Sequence, residues 1–110
     1  MTTPAIVVIM SNMKAVQLIR TRADYSERAF ADVVVWKVSK PISGSSHGFK
    51  YRLAYVVDGI CMLRYDNETG KGDHRHHGDK EEAYDFETLD KLMADFWRDI
   101  ERWNHENSSS

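Results

Sequence analysis

The dipeptide Asp58-Gly59 constrains the fold of this chain more than any other feature. It separates two runs rich in β-branched and aromatic residues, Phe49 to Val57 and Ile60 to Tyr65. Asp and Gly both tolerate the positive φ angles of a type I′ turn, whose twist suits two antiparallel strands. Such a short loop also predicts the register: Val57 faces Ile60, Val56 faces Cys61, Tyr55 faces Met62, Ala54 faces Leu63, Leu53 faces Arg64 and Arg52 faces Tyr65. One face of the hairpin then carries Phe49, Tyr51, Leu53, Tyr55, Val57, Ile60 and Met62, enough apolar bulk to sit under a helix. The other is apolar near the turn and ends in Lys50, Arg52 and Tyr65.

The remaining elements follow from periodicity. Residues 14–22 alternate as a strand, and residues 30–38 form a second, in which Val33-Val34-Val35-Trp36 is apolar on both faces. A strand of that kind is covered on both sides or meets a second copy, so a homodimer is expected. Residues 40–48, with Pro41 and a Gly/Ser cluster, read as a mobile loop. Residues 66–79 lack apolar periodicity and read as a second loop, followed by a short strand at 83–86. Thr88 caps a helix whose apolar stripe runs through Leu89, Leu92, Met93, Phe96, Trp97, Ile100 and Trp103. Lys91, Asp95, Arg98, Asp99, Glu101 and Arg102 make its other, solvated face. The predicted fold class is α+β: a twisted antiparallel sheet of four to five strands with a long C-terminal amphipathic helix packed on one face. The single domain spans residues 13–103, with an N-terminal extension or misassigned start at 1–12 and a disordered polar tail at 104–110.

Composition narrows the function classes. With 110 residues, 42% of them hydrophobic, there is room for one core. The lone Cys61 rules out an internal disulfide, cannot supply a thiolate zinc site, and in mid-strand reads as a small buried hydrophobe. No apolar run approaches the ~20 residues of a membrane span, and Ala5 to Met10 lacks a basic lead-in, so a cytoplasmic protein with no membrane partner is expected. The net charge of −2 conceals an asymmetry: residues 1–52 hold eight Lys/Arg against three acids, and residues 53–110 hold seven against fourteen. A basic face for RNA or an acidic partner is one consequence, and two solvated faces that neutralise each other the other.

The candidate chemistry lies in the loop at 66–79. His74, His76 and His77 fall within four positions, flanked by Lys71, Asp73 and Arg75. If the segment is extended, His74 and His76 project to one side and Asp73, Arg75 and His77 to the other. Two imidazoles can divide proton removal and proton donation, as RNA cleavage by its own 2′-hydroxyl requires, with no metal and no cofactor. The catalytic candidates are His74, His76, Arg52, Tyr65 and Asp73; Lys50, Lys71, Arg75, Asp66 and Asn67 are the candidates for substrate contacts. The predicted hairpin register places Arg52, Tyr65, His74 and His76 around one cleft. Two alternatives stand beside this: a solvated loop whose histidines cap backbone groups, and a metal site built from His-x-His-His with Asp66, Asp73 and Asp79. Gly70-Lys71-Gly72 lacks the frame of a nucleotide-phosphate loop. Trp36, Trp97 and Trp103 could stack on bases, but two lie on the helix stripe and one in the valine strand, so core or interface roles are expected.

Three segments, Phe49-Lys-Tyr-Arg-Leu-Ala-Tyr-Val-Val-Asp-Gly, Arg64-Tyr-Asp-Asn-Glu-Thr-Gly-Lys-Gly-Asp-His-Arg-His and Ala94-Asp-Phe-Trp-Arg-Asp-Ile, resemble the TumE-like toxin family of prokaryotic toxin–antitoxin systems. The resemblance covers about Met13 to Trp103 and is most specific from Lys71 to His77. It implies a small intracellular toxin with a cognate antitoxin, commonly a DNA-binding protein of helix-turn-helix type. Carried over by motif, it points to Arg52, Tyr65, Asp66, Asn67, Lys71, Asp73, His74, Arg75 and His76. Members tend to begin near the position of Met13. Three function classes follow: a ribonuclease toxin, a non-enzymatic module that binds RNA or protein, and a metal-dependent hydrolase.

Overall fold

The computed structural model describes residues 7–10 and 13–108. Seven antiparallel strands lie side by side in chain order: β1 (Val7–Met10), β2 (Met13–Asp24), β3 (Ala29–Val38), β4 (Phe49–Val57), β5 (Ile60–Asp66), β6 (His74–His77) and β7 (Lys80–Ala83). One helix, α1 (Leu89–Asn107), follows and packs on one face of this meander. The α+β class is as expected, with more strands than four or five. One additional strand, β6, comes from the 66–79 segment read as a loop; β7 lies just before the strand expected at 83–86 and ends at Ala83, where that strand was expected to begin. The other, β1, draws part of residues 1–12 into the sheet as the partner of β2, while the rest of that segment lies outside the described residues.

The core follows from strand alternation. Ala29, Ala31, Val33 and Val35 of β3, and Tyr51, Leu53 and Tyr55 of β4, point toward α1, which returns Leu92, Phe96 and Ile100. These helix positions recur every fourth residue, so they fall on one stripe. Thr88 caps α1 by accepting from the Lys91 backbone N–H at 3.1 Å. At the other end α1 continues to Asn107, where an unstructured tail was expected, and Asn104 accepts a hydrogen bond from the Tyr55 hydroxyl. The charged side of α1 is not uniformly solvated. Asp95 and Asp99 are each 5% exposed and receive the hydroxyls of Tyr84 and Tyr65. Trp97 and Trp103 lie at the half-buried margin of the core, with Phe96 at its centre.

The Asp58-Gly59 turn has φ of 53° and 76°, as a type I′ turn requires. The expected register nevertheless holds only for the first two pairs. Beyond Val56↔Cys61 a bulge sets Tyr55 opposite Leu63, then Ala54 opposite Arg64, Leu53 opposite Tyr65 and Arg52 opposite Asp66. The bulge turns Leu63 and Tyr65 toward the helix, where both are buried, and leaves Cys61 exposed. A run of aliphatic and sulfur-containing residues, Ile60-Cys61-Met62-Leu63, gives no alternation that would reveal the slip.

Candidate functional site

No element packs on the second face of the sheet among the described residues; the helix and its apolar partners occupy the first. Strand pairing carries side chains across this uncovered face in rows. One row runs Arg20, Val34, Arg52, Asp66, His74 and Ala83. The next runs Arg22, Asp32, Ala54, Arg64, His76 and Glu81. His74 and His76 thus share a face with Arg52, as expected, but Tyr65 faces the helix on the other side. Its hydroxyl donates to Asp99 and accepts from Arg75 at 3.2 Å. Burial, reinforced by the Asp99 carboxylate, raises the Tyr65 pKa well above the ordinary phenol value. Arg75 and His77 alternate onto that same side, where Arg75 also binds Glu82 at 2.5 Å and His77 lies 3.5 Å from Asp99.

The two histidines of the uncovered face meet edge to face, with ring centres 5.0 Å apart. His74 is buried and its Nδ1–H donates to the Gly72 carbonyl at 3.0 Å, which turns Nε2 to within 3.3 Å of Asp66 Oδ1. Each ring nitrogen therefore faces an oxygen. His76 is placed oppositely: its Nε2 accepts from the Arg64 guanidinium at 3.1 Å. Burial, and next the Arg64 charge, lower the His76 pKa from that of a free imidazole. Glu81 stands 3.8 Å from His74 Nε2 and 4.0 Å from His76 Nε2.

Asp66 is 3% exposed and both of its oxygens are engaged, Oδ1 by His74 and Oδ2 by Arg64 Nε at 2.9 Å. The Arg64 Nε contact lacks hydrogen-bond alignment, so this buried N–H has no true acceptor. Because Arg64 takes Asp66, the exposed Arg52 directly across the ladder has no ion-pair partner among the described residues. A cation in the same row as His74, two strands away and unclaimed by a carboxylate among the described residues, is available to an incoming phosphate. The side chains of Asp66, His74 and His76 also bring ligand atoms within 4.8 Å of one another, the one such set among the described residues. Arg64 already donates to the His76 nitrogen that an ion would need.

The other sequence candidates support this cluster from behind. Asp73 accepts from Ser45 Oγ, His47 Nε2 and the Tyr51 hydroxyl, each at 2.7 Å. Asn67, fully buried, accepts from the Tyr51 backbone N–H at 3.0 Å and donates to the Phe49 carbonyl at 2.7 Å. The 40–48 loop, expected to be mobile, is held by these bonds and by a close backbone approach: a Cβ on Gly44 would stand 2.4 Å from the Gly72 nitrogen. His47 stacks on Phe86 at 3.7 Å beside a pocket of about 430 Å³, whose rim includes Lys71. Lys50 lies on the uncovered face opposite Trp36, 3.7 Å from Glu68.

Sequence reasoning missed Arg64, Glu81, Ser45 and His47. Glu81 was within reach, since Gly78-Asp79 is a hairpin turn that pairs His77 with Lys80 and so His76 with Glu81. Arg64 was displaced by the bulge, and nothing in residues 43–47 marks them as anchored.

A family model described as Toxin TumE matches residues 9–104 of the chain, beginning four residues before the start that the sequence resemblance suggested. No curated protein and no solved structure matches it.

Proposed function

The chain belongs to the TumE toxin family, which makes it a toxin of a toxin–antitoxin system with an antitoxin partner, and on that premise we propose that it acts as a metal-independent ribonuclease through the uncovered face. The observation that carries this reading is the asymmetry of the histidine pair: Nε2 of one imidazole faces the Asp66 carboxylate, and Nε2 of its neighbour accepts from the Arg64 guanidinium. In the proposed reaction the 2′-hydroxyl gives its proton to His76 Nε2, and the 2′ oxygen bonds to phosphorus. The bond from phosphorus to the 5′ oxygen breaks, and that oxygen takes the proton from His74 Nε2, leaving a 2′,3′-cyclic phosphate. Arg52 holds a non-bridging oxygen, and Arg64, as its place at His76 is taken by substrate, turns toward the growing charge. Asp66, Asp73 and Asn67 position this set; Tyr65 and Arg75 secure the helix behind it.

The partner in this reading is a DNA-binding antitoxin of helix-turn-helix type, and the setting is the cytoplasm. Among the described residues no helix is long and apolar enough to cross a membrane. The self-association suggested by the valine strand would fall to Val34 and Trp36, since Val33 and Val35 are spent under the helix.

The test is RNA cleavage by the purified protein. Cleavage should survive EDTA and leave cyclic phosphate ends. His76→Ala should lower the rate by about 10²–10⁴-fold without moving the thermal midpoint of unfolding; His74→Gln, which still fills the buried position of His74, should lower the rate as much in a protein that remains folded. Loss of activity in EDTA, restored by a transition metal, would transfer the function to the Asp66, His74 and His76 ligand set. Salt-sensitive RNA binding without turnover would favour the binding module.

A further inference from the structure

The rows that place the histidines do not stop at them. On β2, Arg20 and Arg22 stand two strands beyond the positions of Arg52 and Ala54, on the same uncovered face. Arg20 is exposed and without an ion-pair partner among the described residues. Arg22 reaches over the ring of Phe30 at 3.7 Å and binds Asp24 at 3.0 Å. Trp36, half-buried on this face, lies between Gln17 and Lys50 and stacks on no other ring. Two arginines of one row, Arg20 and Arg52 with Val34 between them, and Trp36 on the same face of β3 beside Val34 offer both chemistries of a single strand, cations for phosphate and a ring for a base. A duplex hides its base faces and would leave Trp36 without a partner.

We propose that single-stranded RNA lies across the strands of this face, leading away from the histidine pair, with phosphates on Arg52 and Arg20 and a base stacked on Trp36. From β6 to β2 is four strand spacings, about 19 Å, the span of roughly four nucleotides at the low end of known single-strand sites. A second copy of this chain is the weaker occupant, because two-fold packing would set Arg20, Arg22 and Arg52 against the same charges. The placement of the scissile bond rests on the ribonuclease reading; the binding path does not.

Fluorescence anisotropy with 2′-O-methyl oligonucleotides, which carry no attacking hydroxyl, separates the two. Affinity should climb with length up to about four nucleotides and then level off. A matching duplex should bind more weakly. Arg20→Ala/Arg22→Ala should weaken the longer oligonucleotides by about tenfold and flatten their salt dependence, while cleavage of a dinucleotide persists. Trp36→Ala should weaken binding by a similar factor at unchanged salt dependence. Length-dependent binding by a protein that cleaves nothing would uphold the path and sink the acid/base reading. Affinity independent of length, or unchanged by both variants, would overturn the path. So would sedimentation showing a dimer that Trp36→Ala dissociates.

Discussion

His76 sits between a cation and a carboxylate, and its chemistry depends on which dominates. Burial and the Arg64 charge lower its pKa, and the more distant Glu81 opposes them only in part. The sign of the resulting pH dependence is fixed. A base with a lowered pKa stays unprotonated further into the acid range, so the acidic limb of cleavage should lie below that of an unperturbed imidazole. Arg64→Ala removes one cause of the lowering and should move that limb to higher pH, whatever it does to the maximal rate. A pH–rate profile of the two proteins checks this; a limb that stays in place would separate His76 from the proton transfer. His74 is held by different means, the Gly72 carbonyl behind it and Asp66 in front. Asp66→Asn keeps the shape and removes the carboxylate that faces Nε2, so it should impair activity far more than stability.

Helix α1 is fastened to the sheet by two kinds of contact, and they should fail separately. Phe96 has no exposed surface and meets the ring of Tyr65 at 5.8 Å. Phe96→Ala should cost about 3–5 kcal/mol in denaturant unfolding, and Trp97→Ala less, because Trp97 is half-buried at the margin. Asp95 is the polar fastening. Burial alone would raise its pKa, but hydrogen bonds from Lys91 and Tyr84 and the Arg98 charge bring it below the ordinary carboxylate value. A carboxyl with a lowered folded-state pKa contributes stability that is complete above about pH 4 and is lost as pH falls toward its folded value. Asp95→Asn should therefore flatten that part of the acid unfolding profile, and an unaltered acid limb would contradict the assignment. The helix itself was legible in the sequence from its cap and apolar stripe. Its buried acids were not, because an Asp that meets a tyrosine hydroxyl looks the same in sequence as one that meets water. The β6–β7 hairpin escaped for a related reason: its four-residue strands are polar and carry no core signal.

Across the whole molecule, the division of charge along the chain becomes a division between surfaces. The basic first half supplies β2, β3 and β4, and with them Arg20, Arg22, Lys50 and Arg52 on the uncovered face; the acidic second half supplies α1 and the Asp66 and Glu81 carboxylates around the histidines. Strand alternation made the sharing of one side by His74 and His76 readable from sequence, whereas the bulge after Cys61 decided that Arg64 and Asp66 join them and that Tyr65 does not. In the proposed division of labour the uncovered face acts and the helix face holds the fold. β6 offers the most direct measurement, since His76 and His77 are neighbours in sequence on opposite sides of the sheet. Growth arrest and RNA cleavage should be compared for His76→Ala and His77→Ala, each with its melting curve. His76→Ala should abolish both activities in a protein that melts like the wild type, and His77→Ala should retain both. A folded His77→Ala protein as inactive as His76→Ala, or a His76→Ala protein that still arrests growth, would contradict it.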